Sequence, residues 1–240
     1  MIVQGGTLKN LITCLLALFS FSLFAQDYSP VGASCDSLLQ NTYYQICYSK
    51  NHKQAQWTGH WLTVESVNGP ASRTNNFRPD TRVSDPVMQN DYSKTGFDRG
   101  HLVPAGDMKL NKQAMSETFF MTNMSPQRPR FNQGIWAQLE NGVRDMVRKM
   151  GRAYVVTAPI LKANLPRIRS GVSIPERYYK IAYFPDAGIM RAYLIENDNQ
   201  NGVSYTHFQV SVDQIETETG LDFFSQLPDS IEDTLESELR

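Results

Sequence analysis

The chain of 240 residues has 23 Lys and Arg residues against 24 Asp and Glu residues, and it is 41% hydrophobic and 20% charged. This composition is typical of a globular protein and excludes collagen-like, coiled-coil and wholly disordered chains. The mean hydropathy of −0.40 excludes a protein with several membrane spans, and the length suits one sizeable α+β domain or two small ones.

The charge is distributed unevenly along the chain. Residues 213–240 carry nine acidic residues and one basic residue, whereas residues 26–212 carry 21 basic and 15 acidic residues. Most of the basic excess lies between Arg73 and Arg169, where 16 basic residues face eight acidic ones. Such a region suits a polyanionic partner, for example nucleic acid or a phosphorylated glycan, but an ordinary solvated surface has the same composition.

The first 25 residues are predicted to be a signal peptide that is removed from the mature protein. Lys9 precedes the apolar run Leu11–Phe24, and Ala25 supplies a small residue at the expected cleavage site. The run has 14 residues, which is short for a membrane span of about 20 residues. Export to the periplasm or the extracellular space is therefore favoured over an uncleaved anchor, and no stable membrane association is expected after cleavage.

Two cysteines are expected to remain in the mature protein, because Cys14 lies inside the apolar run. In an oxidising compartment Cys35 and Cys47 should form a disulfide between a predicted helical turn, Asp36–Asn41, and the first predicted strand. The alternative is two separate buried thiols.

Residues 26–240 are predicted to form a single domain with an acidic C-terminal segment, because they contain no internal repeat, no low-complexity tract and no Gly/Ser linker. Seven β-rich runs predict strands at Tyr43–Ser49, Trp61–Val67, Phe119–Thr122, Tyr154–Ile160, Tyr178–Phe184, Met190–Glu196 and Thr206–Val212.

Helices are fewer than strands in the predicted element order. Apolar residues at helical spacing predict one long helix over Gln133–Met150, and Gly151 provides its end. A second helix is predicted after the last strand, where Asp213 and Glu216 resemble a loose capping box. Strands in series with few crossover helices predict an α+β fold with a mainly antiparallel central sheet flanked by helices.

Only one of the four histidines has neighbours that suggest a reaction site. The run Thr95–His101 contains Asp98 and Arg99 next to a glycine-rich turn. A neutral imidazole can take a proton from water, and a guanidinium offers a fixed fork of donors to phosphate oxygens. A short polar turn is also a common structural element. The other histidines, His52, His60 and His207, are interpreted as surface or strand positions.

A metal ion is expected beside this turn, because one arginine does not neutralise the charge of a phosphoryl-transfer transition state. The sequence has no zinc-ligand spacing and no glycine loop that cradles a nucleotide. Hard oxygen donors occur at Asn123, Asn132 and Glu140, near the start of the predicted long helix. Two simpler assignments stay open: Asn132 as a helix cap, and Glu140 as the partner of Arg144 in a surface ion pair.

Four segments together resemble the DNA/RNA non-specific endonuclease family, the ββα-metal nucleases that include mitochondrial endonuclease G. The segments are SRTNNFRPD (Ser72–Asp80), GFDRGHLVPAGD (Gly96–Asp107), FFMTNMSPQ (Phe119–Gln127) and FNQGIWAQLE (Phe131–Glu140). Their order and spacing make a chance match very improbable, and the resemblance extends from about Tyr44 to Phe224. The family fold places a two-stranded ribbon and the long helix around the metal, which is the ββα-metal motif.

The resemblance also implies a role for each site residue. His101 is expected to be the general base, and Asn132 the direct ligand of one Mg²⁺, for which Mn²⁺ could substitute. Glu140 is expected to bind the ion through its water shell. Three arginines are assigned to the substrate: Arg73 and Arg99 at the scissile phosphate, and Arg144 at a further phosphate or substrate contact. For Asp98 the choice is between ordering the turn and ordering the water shell, and for Asn123 between orienting the site and satisfying backbone groups.

The expected function is an exported, sugar-non-specific endonuclease that cleaves single- and double-stranded DNA and RNA and leaves 5′-phosphate ends. Its activity should fall as pH drops through the titration of His101, near 6.5 if the pKa is unperturbed. One alternative is an exported nucleic-acid-binding protein that does not cut, and another is a metal-dependent phosphodiesterase for small or lipid substrates. No sequence feature indicates an oligomeric state.

Overall fold

The computed structural model describes residues 26–32 and 34–238. The predicted signal peptide, residues 1–25, lies outside the described residues. Within the described ranges, no helix is both long enough and apolar enough to cross a membrane.

A seven-stranded antiparallel sheet forms the centre of the molecule, with a separate two-stranded sheet beside it. The nine strands in chain order are β1 (Ser37–Gln40), β2 (Tyr44–Ser49), β3 (Gln54–Leu62), β4 (Asp98–His101), β5 (Met124–Gln127), β6 (Ala153–Pro159), β7 (Arg177–Phe184), β8 (Ile189–Glu196) and β9 (Gln209–Val210). The large sheet has the order β1-β2-β3-β6-β7-β8-β9, and the small one pairs β4 with β5.

In the described part of the chain, five α-helices accompany the strands: α1 (Val64–Asn68), α2 (Lys112–Glu117), α3 (Ala137–Met150), α4 (Val212–Thr219) and α5 (Asp229–Ser237). α3 ends where Gly151 adopts a φ of 93°, a backbone angle that glycine tolerates better than other residues. α4 begins after Ser211, whose side chain accepts a hydrogen bond from the backbone N–H of Gln214. Ser211 is therefore the cap, and the prediction of a capping box at Asp213 was wrong.

The central sheet is covered on both faces, because successive side chains of a strand point to opposite sides. On one face Val155 and Ala182 pack with Leu139, Val143 and Val147 of α3. The opposite face packs against α4 and α5, through a set that includes Val156, Ile181, Val212, Ile215 and Leu235. The long helix and the acidic C-terminal helices thus lie on opposite sides of the sheet.

The antiparallel α+β architecture predicted from the sequence is confirmed, and the strands at β2, β6, β7 and β8 match their predicted positions within one residue. The predicted helical turn at Asp36–Asn41 was wrong, because this segment is β1 and pairs with β2 along its whole length. Next to it, Cys35 and Cys47 form the expected disulfide.

Three other predicted strands differ from the structure for local reasons. The strand predicted at Trp61–Val67 ends at Leu62, because Thr63 and Ser66 form a reciprocal cap that starts α1. The strand predicted at Phe119–Thr122 is replaced by a 3₁₀ turn, and β5 follows it. In the region predicted as Thr206–Val212, a 3₁₀ turn precedes the two-residue strand β9.

The small sheet and the long helix form a ββα unit. β4 pairs with β5 so that Asp98 lies opposite Gln127 and His101 lies opposite Met124. An irregular helical turn, Phe131–Trp136, then leads into α3. Gly100 permits the close approach of the two strands, because a Cβ atom there would lie 2.1 Å from the Gln127 side chain.

Candidate active site

His101 ends strand β4 in a setting of aromatic rings. Its ring centroid lies 5.0 Å from that of Phe119 and 5.7 Å from that of Phe77, both edge to face. The side chain is 8% exposed, and its Nε2 atom is buried without a hydrogen-bond partner in the described part of the chain. Because buried polar atoms are normally hydrogen-bonded, this nitrogen is a candidate acceptor for a proton from a reacting molecule.

The pKa of His101 differs from the expected value near 6.5. Burial lowers it to about 3, with further lowering by the nearby charges of Arg73 and Arg99. Each of these causes disfavours the imidazolium. The imidazole is therefore neutral, and able to accept a proton, across the whole physiological range of pH.

Two arginines lie beside the imidazole on the same pair of rings. The Arg73 guanidinium carbon lies 4.9 Å from the centroid of Phe119, and that of Arg99 lies 4.2 Å from the centroid of Phe77. These distances fall within the cation–π range. Neither arginine forms an ion pair with another described residue. Two guanidinium groups that have no ion-pair partner among the described residues and lie next to a neutral base form a suitable site for a phosphate.

Asn132 lies on the irregular turn before α3 and is oriented by strand β4. Its Nδ2 donates a hydrogen bond of 2.8 Å to Asp98 Oδ2, and Gln133 Nε2 donates to the same oxygen at 2.8 Å. The side chain thus bonds to Asp98 rather than capping a helix, and Asp98 orders both this amide and the turn.

A shared cavity joins the phosphate-binding and metal-binding candidates. It has a volume of about 360 Å³, and its lining includes Phe77, Asp98, Arg99 and Asn132. Phe77 also contacts the His101 ring. The structure therefore brings the predicted metal ligand Asn132, the predicted phosphate contact Arg99, and Phe77, which contacts the His101 ring, to one cavity.

Glu140 and Arg144 form the i,i+4 ion pair considered from the sequence, but both side chains are largely buried and do not lie on the open surface. Arg144 Nη1 donates to Asp107 Oδ1 at 2.6 Å and lies 4.0 Å from Glu140 Oε2. Arg144 Nη2 donates to Asn141. The observed contacts of Arg144 are thus with Asp107, Asn141 and Glu140, and a phosphate contact by Arg144 stays a prediction.

Three residues of this region, His60, Asp107 and Lys180, were not predicted as site residues from the sequence. His60 Nε2 lies 3.2 Å from Asp107 Oδ2 in the protein interior. Lys180 in β7 is 1% exposed, donates to Thr157 Oγ1 at 2.6 Å and lies 5.2 Å from the ring centroid of Trp136. We call His60, Asp107, Glu140, Arg144 and Lys180 the buried charge network. A lysine inside the apolar run of β7 was a signal that could have revealed it.

The buried charge network sets the ionisation of Glu140. Burial raises the pKa of Glu140 to about 7, and Asp107 acts in the same direction. Lys180, Arg144 and Arg73 oppose this rise. Arg73 lowers the pKa of both Glu140 and His101, which places its charge near both groups.

Asn123 serves the backbone rather than the reacting groups. Its Oδ1 accepts from the Val103 N–H at 2.9 Å, and its Nδ2 donates to the carbonyl oxygens of Val103 and Thr118, each at 2.9 Å. These bonds hold the chain that follows His101. Of the two roles considered for Asn123, the structure therefore favours backbone satisfaction.

The donor atoms suit a hard, hydrated cation. The Asn132 amide oxygen and the Glu140 carboxylate are oxygen donors, which Mg²⁺ prefers, and Mg²⁺ usually retains several waters. No three His, Cys, Asp or Glu ligand atoms converge at this site among the residues that the structure describes. A zinc site with four protein ligands is therefore a poor match for these residues.

Comparison with known proteins agrees with this geometry. A model of the DNA/RNA non-specific endonuclease family matches residues 26–230. A nuclease of Nostoc sp. is 31% identical over 88% of this chain and 84% of the relative, and nuclease C1 of Cunninghamella echinulata is 32% identical over 84% and 87%. A solved structure of the EndoG/EndoGI complex, which concerns EndoG inhibition, aligns with a TM-score of 0.76 at 27% identity, covering 82% of this chain and 89% of that chain.

Proposed function

The chain belongs to the DNA/RNA non-specific endonuclease family, and on this basis we propose that it cleaves phosphodiester bonds in DNA and RNA, in single and double strands. The observation that carries the proposal is the His101 Nε2 atom, which is buried and unpartnered beside two guanidinium groups that form no ion pair with the described residues. These groups suit the phosphate and leave base edges uncontacted, so we expect little sequence preference. Cleavage is expected to leave 5′-phosphate and 3′-hydroxyl ends.

Substrate binding should itself activate the base. Arg73 and Arg99 lower the pKa of His101 when the site is free. A phosphate bound between them would offset their charge, so the pKa of His101 would rise and its affinity for a proton would increase. His101 Nε2 then takes a proton from the water that attacks phosphorus, and the bond to the 3′ oxygen breaks.

The metal site proposed for this chemistry uses Asn132 Oδ1 as the direct ligand and Glu140 as a contact through water. Asp98 holds the amide by its hydrogen bond, and Lys180 favours the ionised form of Glu140. A bound Mg²⁺, or Mn²⁺ in its place, would supply charge stabilisation for the phosphorane and for the leaving oxygen.

We also propose that the protein is exported and acts in the periplasm or outside the cell. The predicted signal peptide at residues 1–25 supports this location. The disulfide between Cys35 and Cys47 is a second reason, because such bonds persist in oxidising compartments. Fractionation of producing cells, followed by N-terminal sequencing of the mature protein, tests the proposal directly.

The decisive test of function is the incubation of the protein with supercoiled plasmid and with RNA, in the presence of Mg²⁺ or of a chelator. We expect both substrates to be cut with Mg²⁺ and spared with the chelator. Plasmid and RNA that stay intact with Mg²⁺, while a gel-shift assay shows binding, would favour the exported nucleic-acid-binding protein instead. Faster cleavage of a small chromogenic diester than of plasmid would favour the phosphodiesterase.

A further inference from the structure

Three carboxylates of the acidic C-terminal segment converge on the side of the sheet opposite α3. Asp213 and Glu216 come from α4, and Glu236 comes from α5. One oxygen atom of each lies within 4.8 Å of the corresponding oxygen atoms of the other two. Among the described residues, these three carboxylates lie close enough together to hold one metal ion.

Glu236 is the unusual member of this group. Its side chain is 5% exposed, and its Oε1 atom is buried without a hydrogen-bond partner in the described chain. The charges that act on it belong to other acids, namely Asp213, Glu216, Asp222 and Glu232. An ionised carboxylate with a buried oxygen that has no hydrogen-bond partner is unfavourable, so this side chain needs a counter-charge or a proton.

Protonation of Glu236 would relieve the repulsion among the three carboxylates only in part. Burial and the neighbouring acids raise the pKa of Glu236 to about 9, and the pKa of Glu216 is also raised. Protonation would remove the charge of Glu236 but leave Asp213 and Glu216 facing each other. Glu216 Oε1 already accepts from the Phe223 N–H at 2.8 Å, which leaves its second oxygen for another partner. A divalent cation would offset the charge of all three groups at once.

We propose that Asp213, Glu216 and Glu236 bind one Ca²⁺ ion that joins α5 to α4. Two oxygens on one Ca²⁺, each at about 2.4 Å, can be at most about 4.8 Å apart, and the three carboxylates meet this limit. Ca²⁺ fits better than Mg²⁺ because it accepts several carboxylates in irregular geometry. Asp213 is exposed, so water can complete the coordination from the solvent side.

The proposed Ca²⁺ ion would contribute most to the packing of α5 against the rest of the protein. The buried residues of this helix are Leu235 and Glu236, whereas Ile231 is exposed. One apolar side chain and one carboxylate therefore provide most of the buried contact of α5. Without a cation, Glu236 must keep a proton to make this contact, because its ionised form would be repelled by the acids of α4.

The test measures Ca²⁺ binding by calorimetry and the melting temperature in Ca²⁺ or EDTA, at about pH 7.5. The full chain carries Asn132→Ala, which removes the proposed direct ligand of the active-site metal. We expect one bound Ca²⁺ and a higher melting temperature with Ca²⁺. Adding Glu236→Gln should weaken Ca²⁺ binding at least tenfold, abolish the Ca²⁺-dependent shift, and leave the melting temperature in EDTA no lower.

Two further variants make the result independent of how well the Glu236→Gln protein folds. Asp213→Asn changes an exposed ligand and should also weaken Ca²⁺ binding at least tenfold. Asp233→Asn removes one exposed charge of α5 outside the group and should bind Ca²⁺ like the parent. The proposal is overturned if the parent binds no Ca²⁺, if Asp213→Asn binds as tightly as the parent, or if Asp233→Asn weakens binding as much as Asp213→Asn.

Discussion

The region around His101 and the buried charge network around Glu140 differ in how their polar groups are paired. At His101, the buried Nε2 atom has no hydrogen-bond partner, and Arg73 and Arg99 have no ion-pair partner among the described residues. The network contains an unpartnered atom as well, His60 Nδ1, but its charges are largely paired. In the network, Asp107 accepts from both His60 and Arg144, and Lys180 is bonded to Thr157. The unpaired groups can meet a substrate, while the paired groups hold the site in place. Changes in the first region should alter turnover, and changes in the second should alter metal use and stability.

The largest effect is expected from His101→Ala. Loss of the base should lower kcat by about 10²–10⁴-fold and leave nucleic-acid binding nearly unchanged, because Arg73 and Arg99 remain. Plasmid cleavage and a gel-shift assay measure the two properties. His207→Ala is the matched control, since His207 is exposed and outside the site. Equal loss of binding and turnover in His101→Ala would contradict the assignment.

Arg99→Ala should give the next largest effect. Removing one charged donor to the phosphate should cost about 10²–10³-fold in kcat, and it should also raise the pKa of His101 because a nearby positive charge is gone. Arg128→Ala removes an exposed arginine that lies 5.6 Å from the ring centroid of Phe97 and serves as the control. If Arg128→Ala lowered kcat as much as Arg99→Ala, the loss would reflect general surface charge instead.

Lys180→Met tests the supporting region. Glu140 would lose the strongest charge that favours its ionised form, so about 10–100-fold more Mg²⁺ should be needed for half-maximal activity. Higher pH should partly restore activity, because it ionises Glu140. The control is Lys162→Met at an exposed ion pair. An unchanged Mg²⁺ requirement in a folded Lys180→Met protein would remove Lys180 from this role.

The last effect is on stability rather than on turnover and concerns His101. Its pKa is near 6.5 in the unfolded chain and about 3 in the folded protein, so the unfolded state binds more protons between these values. Stability from this group therefore decreases as pH falls through this window. The unfolding free energy of wild type relative to His101→Ala should drop by up to about 1.4 kcal/mol per pH unit. Urea unfolding at several pH values checks this, and a difference that is constant with pH would contradict it.

Apolar runs and helical spacing predicted those strands and helices whose conformation depends on their own residues. The apolar run of β7 and the helical spacing of α3 indicated both elements close to their observed bounds. The start of α1 was missed because a reciprocal cap between Thr63 and Ser66 overrode the β-rich run before it. Strand β1 was misread because its pairing with β2, rather than its own composition, decides its conformation.

In the candidate site too, residues close together in the sequence were predicted, and residues far apart in the sequence were not. The motif around His101 was visible because Asp98, Arg99 and His101 lie within four residues. The contact between His60 and Asp107 spans 47 residues, and Lys180 is 40 residues beyond Glu140 in the sequence. No spacing rule connects residues at such distances, so these partners emerged only when the sheet brought β3, β7 and α3 together.

The break in the helical backbone at Gly134, with φ −103° and ψ −108°, separates Asn132 from the regular turns of α3. The Asn132 amide takes its orientation from Asp98 on strand β4. Small shifts or rotations of α3 therefore need not be transmitted to this amide. Residues such as Leu139 and Val143 could then be exchanged for other apolar side chains during divergence without retuning the ligand. The interruption in this way frees the proposed direct ligand, but not Glu140 on α3 itself, from the evolution of the hydrophobic interior.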